Sequence, residues 1–245
     1  MTATQLWLVR HGESTANVLA TEAQRAGAEA IAVTHRDADV PLSDAGTQQA
    51  EALGRWLASA ETTPEAVWSS PYLRAQQTIA IALEGAGTDL PILVDERLRD
   101  RELGILDALT SHGVDVRLPE EAARRRWLGK FYYRPPGGES WTDVVLRVRS
   151  FLRDLDDSAS DGRPVLIAAH DAVVMVFLYV CLGWSERELL DFISTHTVLN
   201  ASVTRLSRKP GSSRWTLDVF SHDDHLEALG VPVTKHGSDS DVQPR

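Results

Sequence analysis

The sequence predicts a three-layer α/β/α domain built on a mostly parallel six-stranded sheet. Helical patterns lie between most of six short apolar runs, and strands that alternate with helices form parallel sheets covered on both faces. The runs have the length and flanks of buried strands. They occupy residues 5–9, 66–69, 91–94, 164–169, 201–206 and 214–220. The last two are expected to add an antiparallel edge to the sheet.

The first strand ends in two polar side chains. Its apolar residues, Leu6 to Val9, are followed directly by Arg10 and His11. Gly12 comes next and lets the chain turn sharply, because glycine adopts backbone angles that other residues avoid. The first strand therefore presents an arginine and a histidine at its tip.

Local signals mark several helices. Ser70 and Pro71 have the form of an N-cap followed by proline at the first helical position. Ser140 with Asp143 three residues later resembles a capping box. Apolar side chains recur at helical spacing in two segments. They are Ala50, Leu53, Trp56 and Leu57 in one segment, and Val144, Val148, Phe151, Leu152 and Leu155 in the other.

The segment 104–138 interrupts the alternation of strands and helices, which predicts an inserted cap. A basic run lies within it, formed by Arg124, Arg125 and Arg126. This run is either a solvated helix face or a contact for an anionic substrate. Apart from the cap, residues 1–230 are expected to form one domain. Residues 231–245 are small, polar and proline-containing, which predicts a flexible tail.

Composition limits the partners and the location. With 35 acidic and 25 basic side chains the formal charge is -10, which argues against general affinity for nucleic acid or an anionic membrane. The single cysteine, Cys181, lies in an apolar run and forms no internal disulfide, which fits a reducing compartment. The start of the chain lacks a leader pattern, and residues 172–184 are too few to span a bilayer. A cytoplasmic protein is expected.

The predicted strand ends bring basic side chains together. Arg10 and His11 follow the first strand, Arg74 lies in the first turn of the helix after the second, and His170 ends the fourth. Ligands of open α/β sheets bind at the carboxyl ends of the strands. Arginines suit phosphate or carboxylate oxygens, and helix N-termini also favour anions. The arrangement predicts a phosphoryl pocket in which a neutral histidine can act as nucleophile.

Each of these residues has a structural alternative when it is taken alone. Arg74 fits a solvated helix surface, and His170 fits a buried histidine with satisfied hydrogen bonds. The cluster from His222 to His225 could hold a metal ion or form a solvated turn after the last strand. The joint placement at strand ends favours the phosphoryl pocket.

Several segments, in this order, resemble the histidine phosphatase superfamily, in the branch that contains phosphoglycerate mutases and related phosphatases. They are RHGESTAN at 10–17, PLSDAGTQQA at 41–50, SSPYLRAQQT at 69–78, RELG at 101–104, PGGES at 136–140 and AAH at 168–170. The resemblance covers residues 5–206 and implies the α/β/α fold and phosphoryl transfer without a metal or another cofactor.

The resemblance also implies roles at matching positions. His11 would form a phosphohistidine, while Arg10, Arg74 and His170 would hold the phosphoryl oxygens. Asn17 would add a hydrogen bond to the phosphate. Glu102 would donate a proton to the leaving oxygen and then activate the attacking water. These residues form the predicted catalytic and substrate-binding site.

Two departures from the pattern bear on the reaction. His170 is followed by Asp171 where this branch usually has glycine, and in the acid phosphatase branch an aspartate at that place donates the proton. Mutases carry Asn-Glu-Arg-His-Tyr-Gly where this chain has Arg99-Asp100-Arg101-Glu102-Leu103-Gly104.

The expected function is therefore a phosphatase that hydrolyses phosphate monoesters, with a small phosphorylated metabolite or a phosphoprotein as substrate. The first alternative is a cofactor-dependent phosphoglycerate mutase, which would return the phosphoryl group to its substrate. The second is a non-catalytic phosphoprotein-binding module that has kept the fold.

Overall fold

The computed structural model describes residues 3–158 and 164–236. These residues form one six-stranded sheet with the order β3-β2-β4-β1-β5-β6. The strands are β1 (Gln5–Arg10), β2 (Ala66–Ser69), β3 (Ile92–Val94), β4 (Val165–Ala169), β5 (Val203–Ser207) and β6 (Thr216–His222). The first four in the spatial order are parallel, and β5 and β6 continue the sheet as antiparallel neighbours. The predicted sheet and its antiparallel edge are confirmed.

Helices cover both faces of the sheet. The helices are α1 (Thr15–Arg25), α2 (Asp44–Ser59), α3 (Leu73–Gly85), α4 (Ser111–Arg117), α5 (Pro119–Tyr132), α6 (Trp141–Ser158), α7 (Asp171–Leu182), α8 (Glu186–Thr195) and α9 (Asp224–Glu227). Alternate residues of β1 enter opposite cores, because successive strand side chains point to opposite faces. Leu6 and Leu8 pack with α6 and α7, whereas Trp7 and Val9 pack with α2 and α3. The three-layer arrangement is confirmed.

The start of α3 differs from the prediction. The helix begins at Leu73, with Tyr72 as the N-cap residue, rather than at Pro71. The Ser70 hydroxyl accepts a hydrogen bond from the Tyr72 amide at 3.2 Å, and it lies 2.8 Å from His170 Nε2. Because Ser70 closes a turn and contacts this histidine, it does not cap the helix.

The capping box predicted at Ser140 is confirmed. The Ser140 amide donates to Asp143 Oδ2 at 2.8 Å, and the Asp143 amide donates to Ser140 Oγ at 3.2 Å. These two bonds satisfy amides that have no partner within a helix. They fix the N-terminus of α6 at Trp141. We call the cavity that is lined by Arg10, His11 and Trp141 the main cavity.

The segment 104–138 contains a 3₁₀ turn, α4 and α5, and no strand among its residues. Leu106, Val114, Ala122 and Tyr133 form a small core of its own. Within the basic run of α5, Arg126 pairs with Asp115 at an exposed site. None of the three arginines of the run lines the main cavity.

The described end of the chain packs against the domain. We call residues 231–236 the C-terminal strap. Gln49 Nε2 donates to the Pro232 carbonyl at 2.8 Å, and the Asn200 amide donates to the Thr234 carbonyl at 3.1 Å. The composition of residues 231–245 predicts a flexible tail, and residues 237–245 of that tail lie outside the described residues. No helix within 3–158 or 164–236 is long and apolar enough to cross a membrane.

Candidate active site

His11 lies at the carboxyl end of β1 with a defined ring tautomer. Its Nδ1 is 2.6 Å from the Gly12 carbonyl oxygen, and a carbonyl can only accept, so Nδ1 carries the proton. The lone pair therefore stays on Nε2. Arg74 Nε donates to this nitrogen at 3.3 Å, so the lone pair faces a guanidinium. The ring nitrogen that carries the lone pair is thus the one that faces Arg74.

The loop that carries His11 is pressed against the N-terminus of α2. A Cβ on Gly46 would lie 2.0 Å from the Glu13 carbonyl oxygen, and one on Gly12 would lie 2.6 Å from the Gly46 oxygen. The Glu13 amide donates to Gln49 Oε1 at 2.8 Å. Only glycine allows this approach of two backbones, which fixes the loop in place.

Arg10 is buried, with 3% of its surface exposed. Its Nη1 donates to the Val198 carbonyl, and its Nη2 donates to the His236 carbonyl at 2.8 Å. Its Nε has no hydrogen-bond partner among the described residues. A buried N–H group without a partner is costly, so this donor is available to an oxyanion in the cavity.

Arg74 is held by two carboxylates. Its Nη1 donates to the backbone oxygen of Asp37 at 2.6 Å and to Asp37 Oδ1 at 2.9 Å, while Nη2 donates to Asp100 Oδ2 at 3.2 Å. Burial acts to lower the pKa of Arg74, but Asp37 and Asp100 outweigh it and the pKa lies above its ordinary value. The guanidinium stays charged beside His11.

His170 follows β4 and is fully buried. Its Nδ1 lies 3.3 Å from Asp100 Oδ2, and its ring centroid lies 5.1 Å from that of His11. Burial lowers the pKa of both histidines well below the usual range, and the charge of Arg74 lowers each further. Both rings are therefore neutral near pH 7. Arg10, His11, Arg74 and His170 meet at one edge of the sheet, as the sequence predicted.

Asn17 lies near the start of α1, where it takes part in a capping box. Its Oδ1 accepts from the Ser14 amide at 3.1 Å, and its own amide donates to Ser14 Oγ at 3.2 Å. The residue lines the cavity. Since Oδ1 is engaged in the cap, the side-chain NH₂ is the group that can donate to a phosphoryl oxygen.

Glu102 occupies a different place from the other predicted residues. Its side chain is 46% exposed. Its Oε1 accepts from the Tyr72 hydroxyl at 2.8 Å, and Tyr72 packs edge-on against His170 with the ring centroids 5.2 Å apart. The residues that line the cavity include Asp37, Asp100 and Asp171 but not Glu102. Glu102 is thus linked to His170 through Tyr72.

Asp37 and Asp100 are site residues that the sequence analysis did not single out. A signal for Asp100 was present, because the second position of the mutase motif is glutamate and the second position of 99–104 is Asp100. Asp37 lies in a long connection without periodicity, and its contact with Arg74 depends on the tertiary fold. No local pattern marks it.

In the cluster from His222 to His225, the buried side chain is held by a contact within the fold. His225 is buried, and its Nε2 lies 3.0 Å from the Ala201 carbonyl oxygen. Across the described ranges of the chain, no group of three or more His, Cys, Asp or Glu side chains is placed to hold a metal ion. The arrangement fits a histidine that fastens α9 to the turn before β5.

The main cavity has a volume of about 400 Å³. Its inner end is formed by Arg10, His11 and Arg74. Its outer wall mixes apolar and polar groups from α1, the following connection and the start of the cap, among them Ala20, Gln24, Ile31, Val33, Leu109 and Thr110. Lys235 and His236 of the strap complete the lining.

Neutral histidines and buried arginines at the carboxyl edge of a largely parallel sheet define a class of enzyme that transfers phosphoryl groups through histidine. Residues 6–221 match the model of the histidine phosphatase superfamily, branch 1, and the chain belongs to this family. The family resemblance stated from the sequence is confirmed.

The relatives include both a phosphatase and a mutase. The chain is 31% identical over 234 residues to the glucosyl-3-phosphoglycerate phosphatase of Mycobacterium tuberculosis, covering 90% of this chain and 96% of the relative. It is 30% identical over 213 residues to a 2,3-bisphosphoglycerate-dependent phosphoglycerate mutase of Methylobacterium sp. strain 4-46, covering 86% of each. The solved structure of the mycobacterial glucosyl-3-phosphoglycerate phosphatase with VO3 aligns at a TM-score of 0.72 and 30% identity, covering 90% of this chain and 100% of that chain.

Proposed function

We propose that the protein hydrolyses phosphate monoesters through a covalent phosphohistidine at His11 Nε2. The observation that carries the proposal is the state of the His11 ring. Nδ1 donates to the Gly12 carbonyl, so the lone pair lies on Nε2, where it accepts from Arg74 Nε. A neutral imidazole is a competent nucleophile toward phosphorus. The lowered pKa keeps His11 in this form near pH 7.

The phosphoryl group would bind between Arg10 and Arg74. Arg10 offers its unpaired Nε–H, and a guanidinium fork suits phosphoryl oxygens. The Asn17 amide can add a further donor. Asp37 and Asp100 already occupy N–H groups of Arg74, so a phosphoryl dianion competes with these carboxylates. We expect at least one of the two to move away from Arg74 when substrate binds.

We propose that Asp100 donates the proton to the leaving oxygen. This carboxylate lines the cavity and lies within 3.3 Å of both Arg74 and His170, whereas Glu102 is turned toward Tyr72. This step uses the carboxylic acid form of Asp100, which acts as the general acid. As His11 Nε2 attacks, the N–P bond forms and the P–O bond breaks. The leaving oxygen takes the electron pair and the proton of Asp100.

The second half of the reaction reverses these roles. Asp100, now ionised, accepts a proton from water as the water oxygen attacks phosphorus. The N–P bond breaks, its electron pair returns to His11 Nε2, and inorganic phosphate leaves. Arg10 and Arg74 stabilise the charge on the transferring group in both steps.

We infer that the substrate is a small phosphorylated metabolite rather than a phosphoprotein. The cavity of about 400 Å³ is walled by α1, the cap and the C-terminal strap, which suits a compact alcohol group. The names of the phosphatase and mutase relatives both refer to small phosphorylated metabolites.

The mutase relative supports an isomerase as the second candidate. The motif at 99–104 differs from the mutase motif at most positions, which favours hydrolysis. With 3-phosphoglycerate and a bisphosphoglycerate primer, we expect little 2-phosphoglycerate compared with the phosphate released from the best substrate. Efficient isomerisation with negligible phosphate release would show that the protein is a mutase.

Rapid quenching during turnover of a radiolabelled phosphate monoester tests the covalent intermediate. The label should survive alkali and be lost in acid, as phosphohistidine is. His11→Asn should carry no label, because asparagine lacks the nucleophilic nitrogen. His112→Asn, at an exposed histidine, is the matched control and should label as the wild type does. Label on a serine, or none in an active enzyme, would contradict the proposal.

A further inference from the structure

The C-terminal strap contacts an arginine of the proposed phosphoryl site through its backbone. The His236 carbonyl oxygen accepts from Arg10 Nη2 at 2.8 Å, and the Val198 carbonyl accepts from Nη1. Two carbonyls on the two terminal nitrogens fix the plane of the guanidinium. The strap therefore supplies one of the two contacts that orient Arg10.

The buried side-chain amides of Gln49 and Asn200 link the strap to the loop that carries His11. Gln49 Oε1 accepts from the Glu13 amide at 2.8 Å, and its Nε2 donates to Thr234 Oγ1 at 2.9 Å. Asn200 Nδ2 donates to the His11 carbonyl at 3.0 Å, and its Oδ1 accepts from Thr234 Oγ1 at 3.2 Å. Both amides are 0% exposed. The strap and this loop are thus held by the same side chains.

The His236 ring fastens the end of the strap. Its Nε2 lies 3.0 Å from Glu13 Oε2, and its Nδ1 lies 2.8 Å from Thr21 Oγ1. The other carboxylate oxygen of Glu13 accepts from the Ser43 hydroxyl at 2.8 Å. One ring nitrogen therefore has a partner in the loop after β1, and the other has a partner in α1. The side chains of His236 and Glu13 are only 14% and 10% exposed, so this contact is shielded from water.

We propose that His236 is a positioning residue, and that the strap holds Arg10 ready for a phosphoryl group. The ring is fixed by Glu13 and Thr21, which places the His236 carbonyl on Arg10 Nη2. That contact leaves Arg10 Nε–H as a buried donor without a partner among the described residues. The inference rests on the proposed function only in treating the cavity as an oxyanion site.

Two truncations of the full chain separate the strap from the residues beyond it. Ending the chain after His236 keeps the strap and serves as the matched control, whereas ending it after Gly230 removes the strap. The readout is the affinity for inorganic phosphate, measured by calorimetry, with thermal unfolding of each variant. The chain that ends after Gly230 should bind phosphate about 10-fold more weakly, because the Arg10 guanidinium loses a hydrogen bond and can reorient. The chain that ends after His236 should bind phosphate within about twofold of the wild-type affinity.

Point variants test the role of the His236 ring where loss of the strap prevents folding. His236→Ala should weaken phosphate binding by several-fold and raise KM more than it lowers kcat. His236→Gln keeps a donor for Glu13 and should recover part of the loss. In an Arg10→Ala background His236→Ala should have little further effect, because its action passes through Arg10.

Two results would overturn the inference. One is unchanged phosphate affinity in folded protein that lacks the strap or the His236 ring. The other is a loss from His236→Ala that persists in full when Arg10 is alanine, because the ring would then act elsewhere. Neither result bears on the proposed function, which fails separately if turnover leaves no label on His11.

Discussion

His11 and His170 depend on their neighbours for their protonation state. Burial lowers the pKa of each, and Arg74 adds repulsion toward a proton on either ring. The rings lie 5.1 Å apart, so a proton on one also disfavours a proton on the other. The tautomer of His11 is set separately, by the Gly12 carbonyl. A backbone contact therefore selects which nitrogen of His11 carries the lone pair, and burial together with the charge of Arg74 keeps that nitrogen unprotonated.

The identity of the proton donor can be tested with leaving groups of different basicity. An alkyl phosphate needs a proton to leave, whereas an aryl phosphate releases a stable phenolate without one. Asp100→Asn should therefore lose about 10²–10⁴-fold in rate on the alkyl ester and much less on the aryl ester. Steady-state rates on both esters measure the difference.

Glu102→Gln and Asp171→Asn are the comparisons that decide this assignment. Glu102 lies outside the cavity lining, so its variant should lose similar, modest amounts on both esters. Asp171 lines the cavity, and its variant should also affect both esters alike. If Glu102→Gln or Asp171→Asn shows the leaving-group dependence instead, Asp100 is not the donor.

The sequence revealed the residues that follow strands and missed those that reach the cavity from elsewhere. Arg10, His11 and His170 each come directly after an apolar run, and the edge where parallel strands end is a known place for ligands. Asp100 lies within a charged segment in which the short match RELG drew attention to Glu102. Asp37 reaches Arg74 by a tertiary contact that no spacing encodes.

At the scale of elements, predictions succeeded where a local pattern decides the structure. The strand runs were recognisable because buried parallel strands are nearly continuous in apolar residues. The Ser140 and Asp143 box was recognisable because both partners lie within four residues. The C-terminal strap has no apolar period, and Gln49 and Asn200 hold it from distant parts of the chain. The packing of the strap against the domain could therefore not be predicted from the composition of the strap alone.

The close approach between α2 and the loop of His11 makes a testable prediction at Gly46. A Cβ there would lie 2.0 Å from the Glu13 carbonyl oxygen, and a backbone atom cannot rotate away as a side chain can. Gly46→Ala should therefore reduce the free energy of unfolding by about 1–3 kcal/mol, as overpacking does. This outweighs the gain of up to about 1 kcal/mol that alanine brings to a helix. Urea unfolding measures the change, and kcat/KM should fall with it.

Gly85→Ala is the control for that substitution. Gly85 also lies in a helix, at the end of α3, but a Cβ there would meet its nearest atom at 3.4 Å, an ordinary contact. Its unfolding free energy should therefore not fall, and should rise by up to about 1 kcal/mol. Equal effects of the two substitutions would show that the approach at Gly46 is not tight in solution.

At the scale of the whole molecule, the strand order assembles the site. β1 and β4 are parallel neighbours, with Arg10 opposite Ala169, so the residues that follow them meet. β2 lies on the other side of β4, which brings Ser70 and α3 to the same edge. The pairing of β1 with β4 alone therefore brings together three of the four basic site residues, which are Arg10, His11 and His170. Although the formal charge of the chain is -10, the cavity lining has as many basic as acidic side chains: Arg10, Arg74, Arg101 and Lys235 beside Asp37, Asp100, Asp107 and Asp171.

The two neutral histidines predict how global stability depends on pH. Their pKa values in the folded protein lie below the value of about 6.5 expected in an unfolded chain. As pH falls through about 6.5, the unfolded chain takes up protons that the folded protein refuses, so stability is lost. Each histidine adds a slope of up to about 1.4 kcal/mol per pH unit in this range. Urea unfolding in phosphate-free buffers between pH 7.5 and 5.5 should show the decline.

Histidine variants test whether the buried rings cause this dependence of the unfolding free energy on pH. His170→Asn removes a ring whose folded pKa is lowered, so its unfolding free energy should fall less steeply with decreasing pH, even if the variant is less stable at pH 7.5. His112→Asn removes an exposed ring and should keep the wild-type slope. Asp37 acts in the opposite direction, because burial raises the pKa of its carboxyl group and the folded state then binds a proton more readily than the unfolded chain. The comparison between variants cancels this contribution, since Asp37 is present in all of them. A wild-type slope in His170→Asn would mean that His170 binds a proton as readily in the folded protein as in the unfolded chain, which would remove the electrostatic basis for two neutral rings beside Arg74.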